Sequence, residues 1–386
     1  MIIIAVDWGK DLRKRSAYHS ELTSRKISRL AFDGSLNNLL EYASAAEEPV
    51  LIGIDAAIGF PEADWEILAR GAANRASDFI NFLLGDSLPP DFFSPVKHPN
   101  EWAPQRPFVS PPQGRWSLKA FENASNGGFY RLVDSHLKAQ PIFVTSGIAG
   151  SVGSGTSALW QELRSAAEHH RFRVWPFHGS MEKLLQKKSP VIAEIYPKAC
   201  YGIALSEKLP ANLLSIAKTR QAARHHALDL LRDATWMKRE RILLKNIDTA
   251  IANEDDFDAL ISAAALTRLF IEKAPLDDAG QFESIIEGGV LGAACIDGRR
   301  TNLKYPGSVP EAGISTREKS SGEKRSYRCP VPGCTHLFRK GRSGWDAHIA
   351  SLSRHPHWHP DIRDATLRKE IFRKEFKAWF SEERKP

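Results

Sequence analysis

The chain has 386 residues, of which 42% are hydrophobic and 26% charged, and its formal net charge is +7 at pH 7. This length predicts two or three domains, and the composition is that of a globular protein, which excludes a disordered or fibrous chain. No apolar run reaches the roughly 18 residues that a membrane-spanning helix needs, so no membrane partner is expected. The four cysteines show no disulfide framework, which favours a reducing, cytoplasmic location.

A buried strand is predicted from Ile2 to Val6, because this run is apolar throughout and ends in Asp7. No basic leader precedes it, so we interpret it as a strand rather than a signal peptide. Residues 16–20 and 25–32 are predicted to continue it as a meander. A short amphipathic helix is then predicted from Leu36 to Ala43.

Two later strands are predicted to carry acidic residues. Val50–Ile54 ends in Asp55, and the apolar stretch Val191–Pro197 contains Glu194. Functional groups gather at the carboxyl ends of strands in open α/β sheets, so the two strand-terminal aspartates are expected to lie close together. A Glu inside an apolar strand must face solvent, a cationic partner or a metal.

The middle of the chain is predicted to be largely helical. We expect helices over residues 65–84 and 157–169, a long ordered loop over 89–113, mostly helix over 209–251, and a terminal hairpin over 287–296. The glycine-rich segment 147–156 lies just before one of these helices. It is interpreted either as an anion-binding turn or as a plain helix start.

The stretch Glu254–Leu260 is predicted to open a helix that continues through an alanine-rich run. Asp255 and Asp258 are three residues apart and therefore project from one face of that helix. The alanines allow another element to approach closely. Paired carboxylates in such a packed position favour a divalent metal, and the alternative is that acidic residues simply suit the first turn of a helix.

The order of these features resembles the RNase H-like nucleases: a strand ending in Asp, a meander, a helix, a second strand ending in Asp, and a late acidic helix. Asp255–Leu260, with its pattern Asp-x-x-Asp-Ala-Leu, is similar to the closing helix of RuvC-type Holliday junction resolvases. Gly53–Pro61 and Glu194–Pro197 resemble the predicted-nuclease family called domain of unknown function 429. The resemblance covers residues 1–300.

The resemblance implies a hydrolase that cleaves phosphodiester bonds of DNA or RNA at a site holding two ions of magnesium, or of manganese. Such ions activate a water and stabilise the leaving oxygen, and they prefer carboxylate ligands. Asp7 would bridge both ions, and Asp55 and Asp258 would each hold one. Asp255 or Glu194 would complete the shell.

A second motif lies further along the chain and comprises Cys329, Cys334, His348 and His355. Its spacing resembles a two-Cys, two-His zinc finger. Residues seven apart on an unbroken helix are separated by about 10.5 Å along its axis, too far to share one zinc ion. The helix must therefore end before His355, or His357 or His359 must serve instead.

Basic residues are concentrated around this motif. Between residues 299 and 345 there are eleven Lys and Arg against three Glu, so this region carries more net positive charge than the whole chain. A basic region next to a zinc finger favours binding to nucleic acid, and a solvated basic linker is the alternative.

Together these features predict an α/β fold: an RNase H-like mixed sheet flanked by helices, with a helical insertion and a small C-terminal zinc-finger module. The predicted domains are residues 1–300 for the nuclease unit, 301–326 for a basic flexible linker, 327–360 for the zinc finger and 361–386 for a C-terminal amphipathic helix. That helix is expected to pack on the finger or on the nuclease unit.

Two other functions are compatible with the sequence. The chain would bind nucleic acid without cleaving it if it keeps the fold and lacks the chemistry. It would instead be an ATP-binding protein of the actin-like and sugar-kinase type if the glycine-rich segment 147–156 forms part of a phosphate loop.

Overall fold

In the computed structural model of this chain, strand β1 (Ile2–Asp7) lies in the middle of a seven-stranded sheet. The chain divides into two compact units, Met1–Val309 and Pro310–Pro386, and the sheet belongs to the first. The structure describes residues 1–71, 76–111, 118–125, 129–146, 152–277, 283–305, 327–332, 334, 337–338, 348–349, 358–362 and 364–376.

The strands after β1 in the first unit are β2 (Ser16–Glu21), β3 (Lys26–Leu30), β4 (Val50–Ile54), β5 (Arg173–Val174), β6 (Val191–Glu194), β7 (Ala211–Ser215), β8 (Leu243–Leu244) and β9 (Ile296–Asn302). The sheet has the order β5-β6-β4-β1-β2-β3-β8. β1, β2 and β3 form an antiparallel meander, whereas β4 pairs in parallel with β1 and β6 in parallel with β4. The sheet is therefore mixed, as predicted.

Helices flank the sheet. They are α1 (Leu36–Ala45), α2 (Glu62–Gly71), α3 (Phe79–Leu84), α4 (Leu118–Glu122), α5 (Leu132–Leu137), α6 (Gly153–Ala167), α7 (Met181–Leu185), α8 (Pro197–Leu205), α9 (Gln221–Asp233), α10 (Thr235–Glu240), α11 (Ile247–Ala252) and α12 (Glu254–Ile271). None of the helices in the described part of the chain is both long enough and apolar enough to cross a membrane.

The side chains of β1 alternate between two hydrophobic cores, one on each face of the sheet. Ile3 and Ala5 belong to the core that contains α8, α9 and α12, and Ile4 and Val6 belong to the core that contains α1, α3 and α6. This division follows from the two-residue period of a strand. It also decides which face of the sheet each acidic residue at a strand end joins.

Helix α12 is buried along most of its length and packs on β1, β2 and α8. Close approach depends on small residues on both sides, namely the alanines of α12 and Gly53 of β4. A Cβ atom at Gly53 would lie 2.8 Å from Leu266 Cδ1 and 2.9 Å from Ile195 Cγ2. The predicted close packing of the alanine-rich helix is therefore present.

Several predicted elements differ from those observed. The predicted helix over 65–84 is two helices, α2 and α3, and the mostly helical stretch 209–251 also contains β7 and β8. The predicted hairpin over 287–296 is wrong, because Ala293–Cys295 is a 3-10 turn and β9 pairs in parallel with β7. A short apolar run does not reveal which distant segment it will pair with. β9 also extends into the predicted linker, to Asn302.

We expect Gly53→Ala to lower the free energy of unfolding by about 1–3 kcal/mol, since the added methyl group overpacks the contact between β4 and α12. Urea unfolding of the first unit would measure this change. Gly9→Ala is the matched control, because no heavy atom lies within 4 Å of a Cβ at that position. Equal losses in the two variants would contradict the expectation.

Candidate functional site

Asp7 and Asp55 stand at the ends of neighbouring parallel strands. Val6 pairs with Ile54 in the sheet register, and the backbone N–H of Asp55 donates to Val6 O at 3.0 Å. Each aspartate comes one residue after this Val6–Ile54 pair, so both belong to the face of the sheet that α12 covers. The sequence prediction that they are neighbours is thus matched by the register.

Asp258 reaches this place from α12 and is 1% exposed. The helix begins at a capping Asn253, whose side-chain oxygen accepts from the backbone N–H groups of Asp255 at 2.7 Å and Asp256 at 3.1 Å. The Tyr201 hydroxyl of α8 donates to one oxygen of Asp258, and the Lys218 ammonium donates to the other.

The electrostatics show that these carboxylates act on one another. Burial raises the pKa of Asp7 well above its ordinary value, and the charges of Asp258 and Asp55 raise it further. Burial, followed by the charge of Asp258, raises the pKa of Asp55 to about 8, against the opposing influence of Lys218. Burial also raises the pKa of Asp258, although Lys218 and Tyr201 act to lower it. In the described part of the chain, the ammonium of Lys218 thus acts to lower the pKa of all three carboxylates.

Asp255 lies at the rim of this group, half-buried. Burial raises its pKa, while Lys218 acts to lower it. The next residue points elsewhere: Asp256 accepts from Ser16 Oγ at 2.6 Å and forms an ion pair with Arg29 at 2.8 Å. The i, i+3 spacing of Asp255 and Asp258 correctly separates these two from Asp256, which ties α12 to β2 and β3.

Glu194 is engaged elsewhere. Its two carboxylate oxygens accept from Arg131 at 2.6 and 2.7 Å, and one of them also accepts from the Ile58 backbone N–H at 2.7 Å. Arg131 in turn pairs with Asp134 at 2.8 Å. Because Glu194 is level with Ile54 in the sheet register, it belongs by alternation to the opposite face from Asp55. The structure does not add it to the three carboxylates.

The cation of the site, Lys218, was missed by sequence reasoning, which predicted mostly helix over 209–251 and did not single it out. It lies instead in the loop between β7 and α9. The buried guanidinium of Arg224 donates to the Lys218 carbonyl and, at 2.9 Å, to Ile251 O, which holds this loop against the end of α11. Only the tertiary contact identifies Lys218, since the sequence around it carries no motif.

Arg15 is a second residue that the sequence did not single out. Its buried guanidinium lies 3.5 Å from the centroid of the Trp8 ring, donates to Gly9 O at 2.7 Å, and pairs with Glu162 of α6 at 2.7 Å. These contacts fix the turn that directly follows Asp7. Arg15 is therefore a positioning residue for the end of β1.

The second unit contains a different kind of site. Strands β10 (Tyr327–Arg328) and β11 (Leu337–Phe338) form an antiparallel pair, and the thiols of Cys329 and Cys334 lie with a ring nitrogen of His348 within 4.8 Å of one another. In the described part of the chain this is the one group of three such ligand atoms that converges so closely. Its sulfur and nitrogen donors suit a metal ion such as zinc.

The environment of these thiols favours a bound cation. Burial, and secondarily the neighbouring Cys334, raise the pKa of the Cys329 thiol to about 12. A divalent cation would reverse this effect, because a coordinating thiol is deprotonated. The fourth predicted ligand, His355, lies outside the described residues, as does the alternative His357. His359 is described, and its Nε2 lies 2.7 Å from Glu375 Oε1.

The predicted C-terminal helix is present as α13 (Ala365–Glu375), and it packs on the cysteine group. Phe372 is fully buried in a cluster with Cys329, Val331 and Ile349. Arg368 is also fully buried, and its guanidinium donates to carbonyl oxygens of Ile349, Trp358, His359 and Ile362. The helix therefore packs within the unit that contains the cysteine group.

Comparisons with protein-family models, with curated proteins and with solved structures find no significant match to this chain.

We expect Asp55→Asn to stabilise the metal-free protein at alkaline pH. The ordinary pKa of Asp is 3.8, and that of Asp55 is about 8 in the folded chain. Between these values the folded state holds a proton that the unfolded state releases, so the free energy of unfolding falls as pH rises. The variant lacks this loss, and thermal unfolding in EDTA should show its advantage grow from pH 4 to pH 8.5.

Asp233→Asn is the control for that measurement, because the Asp233 side chain is 73% exposed. Its difference from the wild type should not vary with pH in the same way. An Asp55→Asn protein that is less stable than the wild type at pH 8.5 would contradict the assigned electrostatics.

We expect the full chain, purified with zinc present, to retain about one equivalent of zinc. Cys329→Ser and His348→Ala should each lose it, because each removes one of the three converging ligands. Elemental analysis by mass spectrometry would measure the metal content. Cys295→Ser is the control, since Cys295 lies in the first unit, outside the cluster. Zinc retention by all three variants would place the metal elsewhere.

Proposed function

We propose that this chain is a metal-dependent nuclease that hydrolyses phosphodiester bonds of DNA or RNA at Asp7, Asp55 and Asp258. The observation that carries the proposal is the clustering of acidic groups at this place: Asp258 raises the pKa of both Asp7 and Asp55, and in the described part of the chain the ammonium of Lys218 pairs with Asp258 alone of the three. Such a group is costly to bury and is stabilised by additional positive charge.

The donor set suits magnesium or manganese, because Asp7, Asp55 and Asp258 all offer carboxylate oxygens. Asp7, Asp55 and Asp258 would hold the metal, with Asp255 at the rim. Bound there, magnesium would activate a water and stabilise the leaving oxygen. With Lys218 paired to Asp258, the three carboxylates lie too far apart to bind one metal ion together. They would have to move closer to one another to do so.

The residues of the chain have separate tasks in this proposal. Tyr201 orients Asp258 by donating to one of its oxygens. Lys218 can exchange its carboxylate partner for a phosphate oxygen of the substrate, since an ammonium is a mobile point charge on a flexible stem. In the reaction the water gives up a proton and its oxygen forms a bond to phosphorus. The bond from phosphorus to the leaving oxygen breaks, and the leaving oxygen takes up a proton.

The order of elements supports placing the first unit with the RNase H-like nucleases. A meander of three strands is followed by α1, by β4 in parallel with β1, and finally by α12 across the same sheet. This is the layout that the sequence resemblance to the RuvC-type resolvases and to the family called domain of unknown function 429 implies. The proposed assignment rests on this layout together with the positions of the aspartates.

We propose that the second unit is a zinc finger that helps to capture nucleic acid. Its support is the convergence of Cys329, Cys334 and His348, together with the basic residues between 299 and 345. Lys and Arg side chains gain binding energy from phosphates by releasing counterions, whatever the base sequence. Finger and nuclease unit would thus divide substrate capture and cleavage between them.

We expect Asp258→Asn and Asp7→Asn to lower the rate of cleavage at least about a hundredfold, because each removes a charged ligand of the metal. Labelled single- and double-stranded DNA and RNA with magnesium or manganese would provide the assay. Asp233→Asn, an exposed acidic position, should cleave like the wild type. Undiminished cleavage by Asp258→Asn would refute the assignment of the site.

We also expect Lys218→Met to bind manganese more tightly than the wild type. The ammonium of Lys218 competes with a metal for Asp258, and the neutral side chain of similar length does not. Calorimetric titration without substrate measures this directly, with Lys238→Met as the control because the Lys238 side chain is 63% exposed. Weaker manganese binding by Lys218→Met would show that Lys218 supports the metal site rather than competing for it.

A non-catalytic nucleic-acid-binding protein is the second candidate, and the ion pair of Lys218 with Asp258 favours it, because a lysine can replace the metal in neutralising carboxylates. This function would be supported if Asp258→Asn still binds nucleic acid and the wild type shows no cleavage. The third reading, an ATP-binding protein, stays a prediction, because residues 147–151 of its glycine-rich segment lie outside the described residues. ATP-dependent thermal stabilisation would test it.

A further inference from the structure

A cavity of about 450 Å³ opens beside Asp55, one of the three carboxylates. It lies at the ends of β4 and β6, and it is bounded by the start of α8 and by the loop that carries Lys218. Asp55 belongs to its wall, so the cavity and the candidate active site share a border. Its volume is within the range of small-molecule sites and suits a ligand of the size of one nucleotide.

One cation in the wall of the cavity has no acidic partner among the described residues. Lys198, the second residue of α8, lies in its wall half-buried and makes no hydrogen bond or ion pair with another described residue. Burial lowers the pKa of Lys198, and the nearby charges of Arg300 and Lys218 lower it further. Arg131, also in the wall, is already paired with Glu194 and Asp134. Lys198 is therefore the cation of the wall that is left for an anion, and Arg300, whose guanidinium donates to the Lys138 carbonyl, is near enough to Lys198 to lower its pKa.

The rest of the wall is largely apolar. Ile142, Ile195 and Ile216 line it together with the rings of Tyr196 and Tyr201. Tyr201 is held by its hydrogen bond to Asp258, whereas Tyr196 is mostly buried without a hydrogen bond from its hydroxyl to another described residue. Flat aromatic surfaces of this kind stack on nucleobases irrespective of base identity.

We propose that this cavity holds the terminal nucleotide of a nucleic-acid strand, with its phosphate at Lys198 and Arg300 and its base against Tyr196 and the apolar wall. This inference rests on the proposed nuclease function and names its substrate class, a strand end rather than the interior of a continuous duplex. A cavity with room for one nucleotide, bordering the carboxylates, places the neighbouring phosphodiester beside Asp55. The chain would accordingly cleave nucleic acids at strand ends.

Binding in EDTA tests the cavity independently of metal and cleavage. Calorimetric titration with AMP, adenosine and inorganic phosphate should show AMP binding at least about tenfold more tightly than either fragment, because base and phosphate contribute together. Lys198→Ala and Arg300→Ala should each weaken AMP binding about tenfold, an effect typical of a lost charge-assisted contact. Lys238→Ala, at an exposed position, should leave it unchanged.

A cleavage assay with magnesium then tests whether the chain requires a strand end. The wild type should degrade a linear single strand at least about tenfold faster than a closed circle of the same sequence, and Lys198→Ala should remove most of this preference. AMP binding no tighter than phosphate, or unchanged in Lys198→Ala, would overturn the cavity assignment even if cleavage is observed. Tight AMP binding without cleavage of either strand would overturn the strand-end role and show that a free nucleotide is the ligand.

Discussion

The burial of three carboxylates against one ammonium is the constraint on which the site depends. Asp7, Asp55 and Asp258 come from two strands and a helix. Burial raises the pKa of each, and the charge of Asp258 raises the pKa of Asp7 and Asp55 further. The fold tolerates this because Tyr201 and Lys218 hold Asp258, and because the proton that Asp55 retains removes one charge near neutral pH. Such an arrangement is stabilised by added positive charge, either from a metal ion or from a cationic side chain.

The alternation of a β-strand explains which acidic residues take part. Asp7 and Asp55 each come one residue after the paired residues Val6 and Ile54, so both lie on the face of the sheet that α12 covers. Glu194 pairs with Ile54 itself and therefore lies on the other face. A shift of one residue moves a side chain across the sheet. Glu194 thus binds Arg131 and joins the loop after β4 to α5, a structural contact at the border of the cavity.

The second unit shows a different balance. In its described part, the buried apolar cluster consists of Cys329, Val331, Ile349 and Phe372, which is a small core. Units with so little apolar burial are commonly stabilised by a metal or by disulfides, and here the thiols converge on His348 without forming a disulfide. Arg368 adds hydrogen bonds from α13 to the surrounding carbonyl groups. Metal binding would therefore contribute to folding as well as to any contact with nucleic acid.

The sequence by itself determined the strands that end in Asp7 and Asp55 and the helix that presents Asp255 and Asp258 on one face. It also determined that Cys329 and Cys334 belong to one ligand motif. Each of these features depends on local periodicity or spacing. Only the tertiary structure decided that Lys218 reaches Asp258, that Glu194 turns to Arg131, and that β9 pairs with β7. These depend on register and on contacts between residues 40 to 87 positions apart. Local patterns fix which way a side chain points from its own element, whereas the partner it meets is set by how the elements pack.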